Sequence, residues 1–271
     1  MDARELKWHQ DKIGYFSASK IAALMSASGK WTEANINYLY EIQQQRYSNQ
    51  PPPQIIARTM QIGIENESYG IEWVRENKNI NLLSCGEDFT EKLFIKTDYG
   101  FGASPDALII DGITELVKRD KDSMLVSNAS ELIDKAEGIL EVKCIVGRKE
   151  TNWVFSPTVP FEKKRLEAFS LHRDQLAGQL LAMPNIKYAC LLQYRYQDDD
   201  NEFDILSPTD PTRGMLFIFS RQEFGLYLSL LEERIIFANN YLNSGKDPDD
   251  VNEEWKTYRA KDKKDGDMHR L

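Results

Sequence analysis

Two short stretches carry residue types that could do hydrolytic chemistry. Asp106, in Ser104-Pro105-Asp106, stands just before the apolar triplet Leu108-Ile109-Ile110, while Glu141 and Lys143 flank Val142 after Gly138-Ile139-Leu140. Alternate side chains of a β-strand share a face, so Glu141 and Lys143 point one way and Val142 the other, into the core. Two carboxylates beside one lysine can hold a hard divalent cation and leave an ammonium near a reacting water. Glu115 and Lys118 form a second pair after Asp106, but their spacing puts them on opposite faces of a strand. The expectation therefore rests on Glu141 and Lys143, although they follow Asp106 at a long interval for neighbouring strands.

Other residues are expected to join them. Arg58 to Asn77 shows helical spacing through Met60, Ile64, Ile71 and Val74, and Glu67 falls in that stripe between Gly63 and Gly70. A carboxylate aimed at the core there needs a metal or a lysine, because an unpaired buried charge is costly. A structural salt bridge is the plainer alternative. On a helix expected over Leu171 to Met183, Gln175 and Gln179 lie one turn apart, where an amide could orient a phosphate or the lysine. The stretch Ser17 to Met25 reads as a capped helix start with Lys12 before it and Lys20 in its first turn, a place suited to a phosphate. Arg148-Lys149, just beyond Lys143, could hold a further phosphate.

The elements that must position these groups can be read coarsely. Helices are expected over Thr32 to Arg46 and Arg221 to Leu242, and strands within Ile80 to Phe94, over Tyr188 to Tyr196 and over Leu216 to Phe219. Pro51-Pro52-Pro53 breaks the chain after the Thr32–Arg46 helix. Thr97 to Ala103 is a glycine-containing turn whose small residues would let backbone and ligand approach. Asp111-Gly112 reads as a hairpin turn with Ile113 to Val117 returning. Residues 118–137 read as a polar insertion with a short helix near Ser130 to Ala136, and residues 245–271 as a polar tail, mobile or meeting another subunit. The expected architecture is an α/β (α+β) fold: a central mixed sheet around Leu108, Ile113, Leu140 and Leu191, with helices on both sides and all 271 residues in one domain.

Composition sets bounds. With 41% hydrophobic and 28% charged residues the chain is an ordinary globular one, without a membrane-length apolar run or a signal peptide, so a cytoplasmic protein is expected. A net charge of −9, from 34 basic and 43 acidic residues, argues against nucleic-acid binding through the whole surface but leaves room for a local basic channel. Cys85, Cys144 and Cys190 are too dispersed for a disulfide framework or an iron–sulfur cluster, and His9, His172 and His269 too scattered for zinc.

In this order the motifs resemble those of the lambda exonuclease and YqaJ-type viral recombinase nucleases, within the PD-(D/E)xK superfamily. Lys12-Ile13-Gly14 with Ser17-Ala18-Ser19 is similar to the opening motif. Gly63 to Glu67 is similar to the G-x-x-x-E helix, Ser104-Pro105-Asp106 and Glu141-Val142-Lys143-Cys144 to the SPD and ExKC motifs, and Gln175 to Leu180 to the last helix. The resemblance runs from Trp8 to Met183. It implies a restriction-endonuclease-like core and a Mg²⁺-dependent exonuclease, with Mn²⁺ as substitute, acting 5′→3′ on double-stranded DNA ends. Metal ligands would be Asp106, Glu141, the Val142 carbonyl and Glu67. Lys143 would activate water with Gln175 assisting, and Lys12 and Ser19, with Arg148 or Lys149, would hold the 5′ phosphate. A trimeric ring and a single-strand annealing partner are also implied. The chain departs from the pattern at Lys12, where the family has arginine, and at Ala177, where it has glutamine. A lysine lacks the planar fork that grips phosphate with two prongs. Two alternatives remain: an endonuclease with the same site, and a non-catalytic scaffold that binds DNA or protein.

Overall fold

The computed structural model describes residues 3–26, 29–51, 57–111, 117–119, 125–146, 153–196 and 207–268. Arg148 and Lys149, Pro52 and Pro53, Gly112, and the expected strand from Ile113 up to residue 116 lie outside them. The helices are α1 (Ala3–Asp11), α2 (Glu33–Ser48), α3 (Arg58–Lys78), α4 (Ala129–Lys135), α5 (Phe161–Ala182), α6 (Leu226–Asn243) and α7 (Val251–Met268). The strands are β1 (Phe16–Ser17), β2 (Leu82–Ser84), β3 (Ile95–Lys96), β4 (Phe101–Ala103), β5 (Ala107–Ile109), β6 (Gly138–Val146), β7 (Tyr188–Tyr196) and β8 (Gly214–Ser220).

The main sheet has the order β2-β5-β6-β7-β8. It is mixed, because β6 and β7 run parallel while every other pair is antiparallel. Leu108, Leu140 and Leu191 sit on its central strands, all fully buried. Both faces are covered, so β7 is an unbroken run of buried residues from Ala189 to Arg195 rather than an alternation of apolar and polar. One face, with Leu140, Val142, Cys190 and Leu192, meets Ile71 and Val74 of α3. The other, with Ile139, Ala189 and Leu191, belongs to the larger core with Leu176 and Leu180 of α5. A small second sheet, β1-β4-β3, lies beside it.

Several expectations change. The helix carrying Gln175, expected from Leu171, begins at Phe161. The helix expected from Arg221 is broken by Gly225, whose φ of +46° ends a single turn at Arg221–Phe224 before α6 starts. The stripe on α3 is buried only in its second half: Ile71 and Val74 are inside, but Met60 is 57% and Ile64 61% exposed. Sequence period groups residues on a face without showing whether another element covers it. Finally, residues 245–268 are not a loose tail. Val251 is fully buried, Trp255 meets the Phe237 ring at 4.7 Å, and the Asn252 side chain bonds both the N–H and the carbonyl of Trp31. The stretch expected as a polar insertion likewise sends Val126 and Leu132 into the core.

Candidate active site

Strand register brings the two acidic motifs together. β5 and β6 are antiparallel with Ala107 opposite Leu140, so one step beyond the ladder sets Asp106 opposite Glu141. The backbone of Asp106 is held on both sides, its N–H by the Leu140 carbonyl at 3.1 Å and its carbonyl by the Cys85 N–H at 2.8 Å. Its Oδ2 accepts a 2.6 Å hydrogen bond from the Val142 N–H. Within the interval between the motifs, Val126, Leu132 of α4 and Ala136 pack into the core.

Lys143 and Glu141 share a face of β6, and Lys143 Nζ lies 2.6 Å from Glu141 Oε1. Only 4% of the Glu141 side chain is exposed. Helix α5 passes over it: Gln175 Nε2 donates to Oε1 at 2.5 Å and Gln179 Nε2 to Oε2 at 2.5 Å. Both carboxylate oxygens are thus engaged, and the two glutamines are not a surface amide pair. Gln193 and His172 also face this place. Gln193 pairs in register with Lys143 and, among the described residues, its buried Oε1 has no hydrogen-bond partner. Burial, then the Lys143 charge, pushes the His172 imidazole down to about 4.

Glu67 reaches the same electrostatic environment from α3, where Gly70 lets the helix close on the sheet. A Cβ at Gly70 would meet Val142 Cγ1 at 2.6 Å, whereas one at Gly63 would meet nothing within 4 Å. Burial raises the Glu67 carboxyl to about 7, with Lys92 opposing and Glu141 adding to the rise. Burial, then Glu141 and Glu67, lift Asp106 well above the usual carboxylate range. For Lys143, burial disfavours the ammonium, but the Glu141 charge and hydrogen bond outweigh it and the net shift is upward. Three carboxylates therefore repel one another around one lysine, a local excess of negative charge that fits a divalent cation. The donors are all oxygens, which suit Mg²⁺ or Mn²⁺. Among the described residues, no three His, Cys, Asp or Glu side chains form a closed ligand set. Asp106 and Glu141, with the Val142 carbonyl and water, are the donors that could hold the ion, and Glu67 acts on them through its field.

A pair of lysines on one indole adjoins the carboxylates. Trp8 of α1 donates from Nε1 to Ser104 Oγ at 2.9 Å, which ties that helix to the strand end bearing Asp106. Lys12 Nζ lies 3.8 Å and Lys92 Nζ 4.5 Å from the centre of the Trp8 ring. Burial, then the charges of Lys92 and Lys20, lower Lys12 to about 8. Ser19 is exposed with Oγ 3.2 Å from Ser17 Oγ, on a 3-10 turn (Ala18–Leu24) rather than the expected α-helix. Lys20 is engaged by Glu41 at 2.6 Å. The small residues of the Thr97–Ala103 turn admit the protein's own groups instead of a ligand. A Cβ at Gly100, φ +73°, would lie 2.2 Å from Asn239 Oδ1, and one at Gly102 would meet the Phe94 ring at 2.3 Å. Helix α1, Trp8 and Lys92 had no signal in the spacing of the sequence.

A mixed sheet covered by helices on both faces, with acidic groups and a lysine at adjoining strands, defines a mixed α/β fold. The chain belongs to the YqaJ-like viral recombinase domain family, whose model matches residues 7–158. In structure it is similar to the alkaline exonuclease LHK-Exo of Laribacter hongkongensis, at TM-score 0.55 and 18% identity over 94% of this chain and 98% of that one. A structure of LHK-Exo in complex with dAMP matches equally well, with TM-score 0.55 and 19% identity over the same shares. A phage-related exonuclease of Haemophilus somnus 129PT matches with TM-score 0.55 and 14% identity, over 85% of this chain and 94% of that one. A sequence comparison with curated proteins gave no match.

Proposed function

We propose that this protein is a metal-dependent deoxyribonuclease that resects double-stranded DNA ends in the 5′→3′ direction during phage-type recombination. The observation that carries the reading is the convergence of Asp106, Glu141 and Lys143 on adjacent strands, with Glu67 close enough to shift them. That the structural relatives are exonucleases supports it, as does the dAMP bound to one of them.

Asp106, Glu141 and the Val142 carbonyl would hold Mg²⁺, which supplies a water ionised near neutral pH and neutralises charge growing on the phosphoryl oxygens. Lys143 directs its ammonium at the attacking water and the phosphate. Gln175 and Gln179 fix the Glu141 carboxylate in one orientation, which leaves little reorganisation at the reacting step. Glu67 adds negative field without closing the ligand set. Lys12 and Ser19 receive the terminal phosphate, which places the first phosphodiester against Asp106 by way of the Trp8–Ser104 bond. On this reading the whole chain is one nuclease domain that works in the bacterial cytoplasm, as a trimeric ring around its duplex and with a single-strand annealing protein.

The test is a time course on end-labelled linear duplexes, with and without a 5′ phosphate, in Mg²⁺. Release of mononucleotides from phosphorylated 5′ ends is expected, and no attack on covalently closed circles. Cleavage of the circles would replace the exonuclease by an endonuclease. No cleavage with Mg²⁺ or Mn²⁺ would leave a binding scaffold.

A further inference from the structure

Two ammonium groups share one indole beside the carboxylates, and like charges gathered on one ring call for more negative charge than the ring supplies. A desolvated charge needs a counter-charge, and the cation–π attraction to Trp8 offsets only part of that cost. Glu91 is ion-paired to Lys7, Glu41 to Lys20 and Asp11 to Lys96, while Lys92 feels the Glu67 charge, which also acts on Asp106 and Lys143. Among the described residues, neither Lys12 nor Lys92 is ion-paired to a carboxylate within the criterion met by those pairs.

Lys92 is also held in place. The segment that carries it, between β2 and β3, is tied to α1 at several points. Arg4 donates to the Gly86 carbonyl at 2.8 Å and to that of Phe89 at 2.7 Å, and Lys96 pairs with Asp11 at 2.7 Å. Arg75 of α3 holds Asp88 at 2.9 Å, and Leu93, next to Lys92, is buried. Lys92 thus stands between the two halves of the site, beside Trp8 on one side and within reach of the Glu67 charge on the other.

We propose that Lys92 is a phosphate-binding residue, the second prong beside Lys12, and that together they select a terminal phosphate monoester over an uncharged 5′ hydroxyl. One ammonium is a point charge; two on a shared aromatic wall present donors from two directions, which a dianionic terminal phosphate can use fully. The proposal rests on the end-resection reading above and assigns its end specificity to a lysine outside the sequence motifs.

The experiment is equilibrium binding of full-length protein, by fluorescence anisotropy in EDTA, to blunt duplexes bearing either a 5′ phosphate or a 5′ hydroxyl. Wild type is expected to prefer the phosphate by about tenfold or more, the scale of one charge-assisted contact. Lys92→Met and Lys12→Met should each bring the two duplexes to within about twofold, and Lys92→Arg should retain the preference. Should Lys92→Met fail to fold, Lys92→Gln carries the same expectation. Preference kept without Lys92 but lost without Lys12 overturns the assignment of Lys92 and leaves the end-resection reading standing. Equal binding of both duplexes by wild type overturns the end-phosphate pocket itself, and Lys92 with it.

Discussion

Asp106 is a carboxylate whose surroundings resist its ionisation: protein atoms crowd it, and Glu141 and Glu67 add like charge. Its peptide contact to Val142 needs only an acceptor oxygen, which asparagine also has. Asp106→Asn should therefore separate stability from chemistry. In EDTA the variant is expected to melt about 2–4 °C higher than wild type, the shift for about 1 kcal/mol of relieved repulsion in a chain of this size. Added Mg²⁺ should raise the wild-type midpoint and not the variant's, and cleavage should fall by about a thousandfold or more. A variant that melts lower in EDTA and still responds to Mg²⁺ would remove Asp106 from the metal pocket. At this scale the sequence was informative for Glu141 and Lys143, because strand parity depends only on position. It was silent about Lys92, since a lysine in an irregular segment has no periodicity to betray what it faces.

Helix α3 shows what an element adds. Gly63 and Gly70 look equivalent in the sequence, one on either side of Glu67, yet only Gly70 has a close neighbour. Gly70→Ala would overpack Val142 and Leu192 and is expected to cost about 1–3 kcal/mol in chemical denaturation. It should also slow cleavage, because α3 moves away from the sheet and takes Glu67 with it. Gly63→Ala, in open helix, should stabilise by up to about 1 kcal/mol. Equal effects at the two positions would refute the packing described. The same element explains the misread stripe: Met60 and Ile64 have the period of a buried face, but the sheet meets only the second half of the helix. On α5 the pairing of Gln175 with Gln179 was visible from their spacing, but their common target was not, because it lies on a strand more than thirty residues earlier.

Over the whole molecule, the ends of the chain are part of the structure. Helix α7 closes over Trp31 through Trp255 and the two bonds from Asn252, and it sits on α6 through Phe237. Ending the chain at Gly245 is expected to cost about 3–5 kcal/mol, the range for losing a large aromatic contact, and to lower the melting midpoint by roughly 10 °C. An unchanged midpoint would restore the view of this segment as a loose tail. The negative net charge also makes sense only at this scale. Two cations, Lys12 and Lys92, meet on Trp8 within a chain of net charge −9, so on the reading proposed above the attraction for DNA would be local.

The sequence by itself determined what depends on neighbours along the chain: the parity that puts Glu141 and Lys143 on one face, the strand from Tyr188 to Tyr196, and the amide pair one helical turn apart. Motif order then pointed to the family. Tertiary structure alone decided that Asp106 stands opposite Glu141, that Lys92 joins Lys12, and that Gly70 rather than Gly63 admits the sheet. Local rules act within a few residues of the chain, whereas these contacts join segments whose distance in space has no counterpart in their separation along the sequence.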